Sequence, residues 1–227
     1  HKLLSFVSII FSLLSFSPAA AQPLTVTNTA PGALHQQLTD NVRFTVGELK
    51  VSGQLNSADL KLIQLIADRT KAKKKGETVL TALDLGEAVI VDDKIGVPIY
   101  QLPNAFFDGC EKLTSIVLPD SLTAISRNLF YGCKGLEEVE IPATVTTIGD
   151  NAFGKCTALK RMKLPAEMKS LGKNIFRGCK SLEEITLPDD IAALPAGLFD
   201  GCEQLSAIRL PSSVREIGDE AFQGCTA

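Results

Sequence analysis

Six cysteines are the residues of this chain best suited to chemistry, and their spacing is uniform. Each lies 23 residues after the one before it: Cys110, Cys133, Cys156, Cys179, Cys202 and Cys225. A zinc site needs cysteine pairs that converge on one centre, usually as C-x2–4-C, and this column contains none. The two histidines, His1 and His35, lie outside the column. We therefore predict no catalytic residue, no metal and no cofactor, because nucleophilic catalysis needs a paired base.

Three other residue types repeat in the same register as the cysteines. One unit reads L-x-x-I-x-L-P-x-x-V-x-x-I-G-x-x-A-F-x-G-C, as in residues 136–156. The L-x-x-I-x-L segment predicts a strand, because its last apolar residues alternate with polar ones. Proline ends the strand, since it cannot donate to a ladder. The columns are Phe107, Phe130, Phe153, Phe176, Phe199 and Phe222; Pro119, Pro142, Pro165, Pro188 and Pro211; and Leu113, Leu136, Leu159, Leu182 and Leu205.

The second half of each unit returns the chain to the start of the next one. Val145 and Ile148 predict a short strand or extended turn on the opposite side of the coil. Gly149 suits a tight turn. Phe153 and Cys156, three residues apart, fit a single helical or 3₁₀ turn.

A single coil cannot bury its own apolar residues, so the coils must stack. Their strands would then pair in parallel at about 4.8 Å. We predict a repeat solenoid of the leucine-rich-repeat class, with a parallel β-sheet, short β or 3₁₀ back segments and an α/β N-terminal cap.

Residues 104–227 resemble the BspA-like leucine-rich repeats of bacterial surface and secreted proteins. The resemblance rests on C-x-x-L-x-x-I-x-L-P followed by I-G-x-x-A-F. Proline follows the strand where commoner leucine-rich repeats carry asparagine, so no asparagine ladder is expected. The last repeat breaks off at Ala227, and we expect an array that is truncated at its C-terminus and can associate end to end.

The cysteines admit two structural interpretations. Disulfides are compatible with export, and stacked neighbours would lie near the permitted distance. All six, however, share one inward position beside Leu and Phe, where buried cysteine packs as a small apolar residue. We therefore predict six free, slowly reacting thiols.

The N-terminus carries a secretory signal. A lysine, an apolar run and an A-x-A site predict a signal peptide over residues 1–21, cleaved after Ala21. The apolar run is too short for a comfortable membrane span, which leaves an uncleaved anchor as the alternative. No later segment is long and apolar enough to cross a bilayer. We expect an exported protein at the cell surface, in the medium or in the periplasm.

Two further segments precede the repeats. Residues 22–40 are predicted to be a polar, irregular lead-in. Residues 41–103 are predicted to form capping repeats with one helix: a strand over 42–51, then a helix that Asn56 or Ser57 caps and Gly76 ends. Its buried stripe would be Leu60, Ile63, Ile66 and Ala67, and L-x-x-L-x-L over 80–85 repeats the pattern of residues 46–51.

The outward strand positions form the candidate binding site. In register, we expect the ion pairs Glu138–Arg161–Glu184 and Glu140–Lys163. This ladder stabilises the strand register, and it also offers a striped polar face to a partner. Tyr131 is the one aromatic expected to be exposed. The predicted partner-binding residues are Glu138, Glu140, Arg161, Lys163, Glu184, Arg209 and Tyr131.

The charge distribution restricts the partner. The formal net charge is −3, with both signs interspersed, so we expect no nucleic-acid partner. The lysines at 71 and 73–75 are explained by the end of the predicted helix, where cations are favourable. The family resemblance implies adhesion or recognition of an extracellular or host protein or glycan, without catalysis. The alternatives are an architectural spacer, or the accessory region of an enzyme whose catalytic domain lies beyond Ala227.

Overall fold

The computed structural model describes residues 23–43, 45–68 and 79–227. The predicted signal peptide, Gly76 and the lysine cluster all lie outside the described residues. The elements in chain order are β1 (Leu24–Asn28), α1 (Leu34–Gln37), α2 (Asp40–Arg43), β2 (Glu48–Leu55), α3 (Ser57–Ala67), β3 (Ala82–Asp84), β4 (Ala88–Ile90), β5 (Ser115–Val117), β6 (Ala124–Ile125), β7 (Glu138–Glu140), β8 (Thr147–Ile148), β9 (Arg161–Lys163), β10 (Ser170–Leu171), β11 (Glu184–Thr186), β12 (Ala193–Leu194) and β13 (Glu216–Ile217).

These elements form the predicted leucine-rich-repeat solenoid. Each coil places a three-residue strand on one side, which we call the front face, and a two-residue strand on the opposite side, the back face. In β5, β9 and β11 the middle residue is buried and its neighbours are exposed, as period-2 alternation requires. Proline follows two residues after each front strand, where the chain turns towards the back face.

All strands within the sheets run parallel. The first front sheet has the order β1-β2-β3-β5-β7, and β4 pairs with the second half of β2. Leu49 pairs with Leu83, and Leu83 with Ile116, so the strands before the repeats extend the same sheet. A second front sheet contains β9 and β11, while the back face contains β10-β8-β6 and the pair β12-β13. No paired register joins β7 to β9 among the described residues, and the front face is therefore interrupted there.

The core is a set of inward columns that runs through the stack. Consecutive phenylalanine rings from Phe107 to Phe222 stack with centroids 5.3 to 5.8 Å apart. The five rings from Phe107 to Phe199 are fully buried, the leucine column beside them is buried, and so are all the cysteines except the partly buried Cys225. The rings of Phe130, Phe153, Phe176 and Phe199 are therefore each covered by the coils before and after them, as the prediction of stacking requires.

The turn that carries the phenylalanine supplies the continuous hydrogen bonding. Phe153 accepts an i→i+3 bond from Cys156 at 3.1 Å, which is of the 3₁₀ type predicted. Two left-handed residues per coil, such as Asn151 (φ 55°) and Lys155 (φ 60°), keep this turn from continuing as a helix. Between coils, the N–H groups of Asn128, Phe130 and Gly132 donate to the carbonyls of the next coil at 3.0, 2.8 and 2.8 Å. The same pattern joins every successive pair of coils as far as Gln223.

The glycines that follow the back strands have a different role from the one predicted. Gly149 was expected to supply a tight turn, yet its φ is not positive. A Cβ atom there would lie 2.7 Å from the backbone nitrogen of Arg127, and one on Gly172 would lie 2.5 Å from that of Asp150. These glycines therefore allow close approach of neighbouring coils.

The N-terminal segment is more ordered than predicted. Residues 22–40 were expected to be irregular, but β1 pairs with β2 over five residues, from Leu24↔Leu49 to Asn28↔Gly53. The strand predicted over 42–51 was wrong in its first half, because α2 ends at Arg43 and β2 begins at Glu48. Besides α3, the described residues contain two four-residue helices that were not predicted, α1 in the lead-in and α2 at the start of the cap. The buried carboxylate of Asp59 orders this region, since it accepts from Gly32 N, Leu34 N and Asn28 Nδ2 at 2.6, 3.0 and 2.9 Å.

Helix α3 follows the prediction at its start and along its buried side. Asn56 is the N-cap, and with Asp59 it forms a reciprocal capping box. The predicted stripe Leu60, Ile63, Ile66 and Ala67 is buried. The helix ends at Ala67 and not at Gly76, where the sequence analysis placed its end.

At the turn positions with left-handed backbone, substitution by glycine should stabilise the protein, whereas it usually destabilises. Ala105 has φ 55°, where a Cβ atom costs about 1–2 kcal/mol. Glycine loses about 0.5–1 kcal/mol of this gain through backbone entropy, so Ala105→Gly should raise the free energy of unfolding by up to about 1 kcal/mol. Ala143 is exposed and its φ is not positive, so Ala143→Gly should lower it by about 0.5–1 kcal/mol through backbone entropy. Denaturant unfolding of both variants measures the two signs. A loss of stability in Ala105→Gly would contradict the geometry of the turn.

Candidate functional site

The front face carries most of the predicted binding residues. In β7, β9 and β11 the first and last residues are exposed, which places Glu138, Glu140, Arg161, Lys163 and Glu184 outward as predicted. Arg209 is also exposed. It does not lie on a strand, however, because residues 206–210 form no regular structure.

The predicted charge ladder forms only in part. Arg161 Nε lies 4.0 Å from Glu184 Oε2, on residues that are register partners. Among the described residues no ion pair joins Glu138 to Arg161 or Glu140 to Lys163, so that part of the prediction was wrong. Strand pairing is interrupted at the same place, since β7 and β9 lie in different sheets, although Lys160 N still donates to the carbonyl of Glu137 at 3.4 Å.

Ion pairs that were not predicted lie elsewhere on the surface. Lys50 on β2 bridges Asp84 at 3.4 Å and Glu87 at 2.8 Å, and Asp84 is its register partner on β3. These contacts raise the pKa of Lys50, chiefly through the hydrogen bond to Glu87. Away from the front face, Lys134 bridges Glu111 at 2.6 Å, and these two residues occupy the same position in neighbouring coils. Register spacing of 23 residues could have identified this second pair in the sequence.

A hollow of about 600 Å³ opens at the C-terminal part of the front face. It brings together three of the predicted residues, Arg161, Glu184 and Arg209, whereas Glu138, Glu140, Lys163 and Tyr131 do not line it. Its other lining residues include Glu183, Ile185, Thr186, Leu187, Asp189, Ser206, Ala207 and Pro211. Both charge signs and an apolar floor therefore meet in one open hollow.

Tyr131 does not belong to this face. It lies on the turn side of its coil and is half-buried, which corrects the prediction of an exposed aromatic. A Cβ atom on Gly154 would be 2.8 Å from Tyr131 Cδ2, so the ring lies over that glycine. The ammonium of Lys155 is 5.2 Å from the ring centroid, a cation–π distance. The ring therefore has a packing role in the next coil.

A hairpin that precedes the repeats exposes apolar side chains that the sequence analysis missed. Val91 bridges Pro98 in antiparallel fashion, and Asp92 N donates to the carbonyl of Val97 at 2.9 Å. Ile95, Val97, Ile99 and Tyr100 are 71%, 49%, 39% and 50% exposed. The alternation I-x-V-x-I could have indicated a strand-like edge. Such exposed apolar clusters mark contact surfaces more often than isolated residues do.

The cysteine column is buried and unpaired. None of the six forms a disulfide, and all but Cys225 are fully buried. Each thiol from Cys133 onward donates to the carbonyl of the phenylalanine 26 residues earlier, for example Cys156 Sγ to Phe130 O at 3.1 Å. Burial raises the pKa of Cys110 and of Cys202 to about 12. These thiols therefore stay protonated near neutral pH and are poor nucleophiles.

Two further kinds of site were sought in the part of the chain that the structure describes. It contains no group of three or more His, Cys, Asp or Glu side chains arranged to hold a metal ion. It also contains no helix that is both long and apolar enough to cross a membrane.

The burial of the thiols predicts their order of reaction. Cys225 lies in the last described coil and is only partly covered, so it should react first with a thiol reagent at pH 8. The other five should react at least about tenfold more slowly, because the reactive thiolate is rare when burial raises the pKa. Titration before and after denaturation measures both, and Cys225→Ser should remove the fast phase. Fewer than six thiols in the denatured, non-reduced protein would contradict the assignment.

Comparisons with known proteins agree with this geometry. A family model described as the BspA type leucine rich repeat region matches residues 100–227 in six copies. A leucine-rich repeat protein from Bacteroides ovatus is 32% identical with a TM-score of 0.56, over 64% of this chain and 35% of that one. The T. pallidum leucine-rich repeat protein is 28% identical with a TM-score of 0.51, over 64% and 76% of the two chains. No curated protein matches the chain.

A third solved structure is named a leucine rich cell surface protein, from Faecalibacterium prausnitzii. It is 26% identical with a TM-score of 0.57, over 77% of this chain and 41% of that one. This chain thus spans less than half the length of the B. ovatus and F. prausnitzii proteins. The family match covers more than half of the chain, and its strands, turns and stacked columns repeat in the same register. The chain therefore belongs to the BspA-type leucine-rich-repeat family, whose fold typically serves as a binding or scaffold domain.

Proposed function

We propose that this protein is an exported binding module that recognises a partner protein or glycan through its front face, in adhesion or another surface interaction. The observation that carries the proposal is the hollow that brings Arg161, Glu184 and Arg209 together on this face. Export is supported by the signal peptide that the sequence predicts over residues 1–21. The name of the F. prausnitzii protein is consistent with display at a cell surface.

The rigidity of the array supports binding over catalysis. Strand residues are held by the stack, so their side chains lose little entropy when a partner docks. The front face shows no base beside a nucleophile, and the thiols are turned inward. The site that the described residues form therefore favours recognition.

The charges of the front face favour a partner of mixed charge. Acidic β7 lies next to basic β9, and β9 next to acidic β11. A polyanion would meet repulsion at two of these three strands, which argues against nucleic acid. A protein surface with both signs, or a neutral glycan that accepts hydrogen bonds, fits this pattern.

Charge reversal on the front face tests the proposal. The purified protein should bind at least one member of an array of extracellular proteins and glycans, and Glu138→Lys, Arg161→Glu and Glu184→Lys together should weaken that binding at least about tenfold. These side chains are exposed, so the variant should unfold within about 1 kcal/mol of wild type.

A matched control reverses charges on another face. Glu111→Lys with Lys134→Glu swaps an exposed pair away from the front strands, and its binding should equal that of wild type. Equal loss in both variants would show that the effect is not specific to the front face, and would contradict the proposal. A folded, monomeric wild-type protein that binds nothing on the array would contradict the proposal and favour an architectural spacer.

A further inference from the structure

The hollow exists because one coil leaves the front sheet. Between β9 and β11, the carbonyl of Lys160 accepts from Glu183 N at 2.9 Å, and Leu164 N donates to the carbonyl of Thr186 at 3.1 Å. The equivalent atoms one coil later are the Glu183 carbonyl and the Leu187 N–H. Among the described residues no hydrogen bond joins either of them to segment 206–210.

The opening is confined to the front face. Before it, Gln204 N still donates to the carbonyl of Lys180 at 3.1 Å. After it, Ser213 Oγ donates to the carbonyls of Asp189 and Ile191 at 2.6 and 2.7 Å. The back strands β12 and β13 also remain paired. Segment 206–210 is therefore joined to the preceding coil at both of its ends. Between them, the part of the hollow that runs along the free edge of β11 forms a slot.

The free edge of β11 presents the groups that another strand would use. Alternate residues of a parallel strand bond to opposite neighbours. The backbone N–H and carbonyl groups of Glu184 and Thr186 face β9. Those of Ile185 therefore point in the opposite direction, into the slot. Unpaired strand edges are templates for a further strand. The buried side chains of Ile185 and Leu187 form the floor.

The charges around the slot indicate which strand fits. Arg161 pairs with Glu184 in register, and the position one coil further along is Ala207, which cannot continue the alternation. The carboxylate of Glu184 is 70% exposed, with Glu183 and Asp189 also lining the hollow. A basic side chain beside Glu184 would therefore complete a plus–minus–plus row.

We propose that the free edge of β11 accepts an extended peptide segment as an added parallel strand, with a Lys or Arg in register with Glu184. This inference rests on the proposed binding role of the front face and names its partner as an extended polypeptide. A glycan lacks the alternating N–H and carbonyl groups that the edge of β11 requires.

Amide exchange in the free protein is the first test. Leu164 N–H is bonded, whereas Leu187 N–H, at the equivalent position of the next coil, has no acceptor among the described residues. Leu187 should therefore exchange at least about tenfold faster than Leu164. A slowly exchanging Leu187 amide in the free protein would overturn the proposal, since segment 206–210 would then occupy the slot.

A synthetic peptide provides the second test. Its sequence is that of residues 204–212 with lysine in place of Ala207, which the 23-residue register aligns with β11. Binding should slow the exchange of Leu187. N-methylation at the position of Arg209, which donates to Ile185 in this register, should weaken binding at least about tenfold. N-methylation at the position of Ile208, which faces away from β11, should have little effect.

The role of Glu184 is tested by a double-mutant cycle. The lysine peptide should bind about two- to fivefold more tightly than the alanine peptide, as an exposed cross-strand ion pair allows. Glu184→Gln should remove this difference. If both N-methylated peptides bind equally, or the peptide leaves Leu187 exchange unchanged, strand addition is wrong. Loss of array binding in the front-face variant would still support the proposed function, so the two failures are distinguishable.

Discussion

Every coil of this protein depends on its neighbours to cover its inward residues. A 23-residue coil has too little chain to wrap its own phenylalanine, leucine and cysteine. Phe153 is buried because Phe130 and Phe176 stack on its two faces, at 5.3 and 5.7 Å. Such a structure is stabilised by nearest-neighbour contacts, so a coil is stable only as part of the array.

The continuous hydrogen bonding lies on the turn side, and this leaves the front face free to vary. Backbone bonds join all successive coils through the phenylalanine turns, whereas the front strands separate between β7 and β9 and again after β11. The array tolerates these gaps because its columns and turns remain intact. The front face can therefore carry a recognition site without loss of the fold.

The features predictable from the sequence are those that repeat or that are local. The inward columns follow from spacing alone, and the start of α3 follows from Asn56 and the apolar stripe after it. The order of residues 24–38 was not predictable, because it depends on the buried carboxylate of Asp59, 25 to 31 residues away from its partners in the chain. Tyr131 could not be placed either, since its cover comes from Gly154 and Lys155 of the next coil.

The candidate site was also predictable from the sequence only in part. Period-2 alternation correctly placed Glu138, Arg161 and Glu184 outward. It could not show that β7 and β9 are not paired in one sheet, or that residues 206–210 form no strand. Both departures depend on how whole coils pack, and the hollow exists because of the second one.

The inward residues of each coil are buried by the neighbouring coils. Removal of the phenylalanine ring at Phe153 and, in a second variant, at Phe222 tests this most directly. Phe153 is fully buried between two rings, while Phe222 is only partly buried, against Phe199. Denaturant unfolding should show that Phe153→Ala lowers the free energy of unfolding by about 3–5 kcal/mol, and that Phe222→Ala lowers it by less than half as much. Equal losses at the two positions, or a small loss at Phe153, would contradict the account.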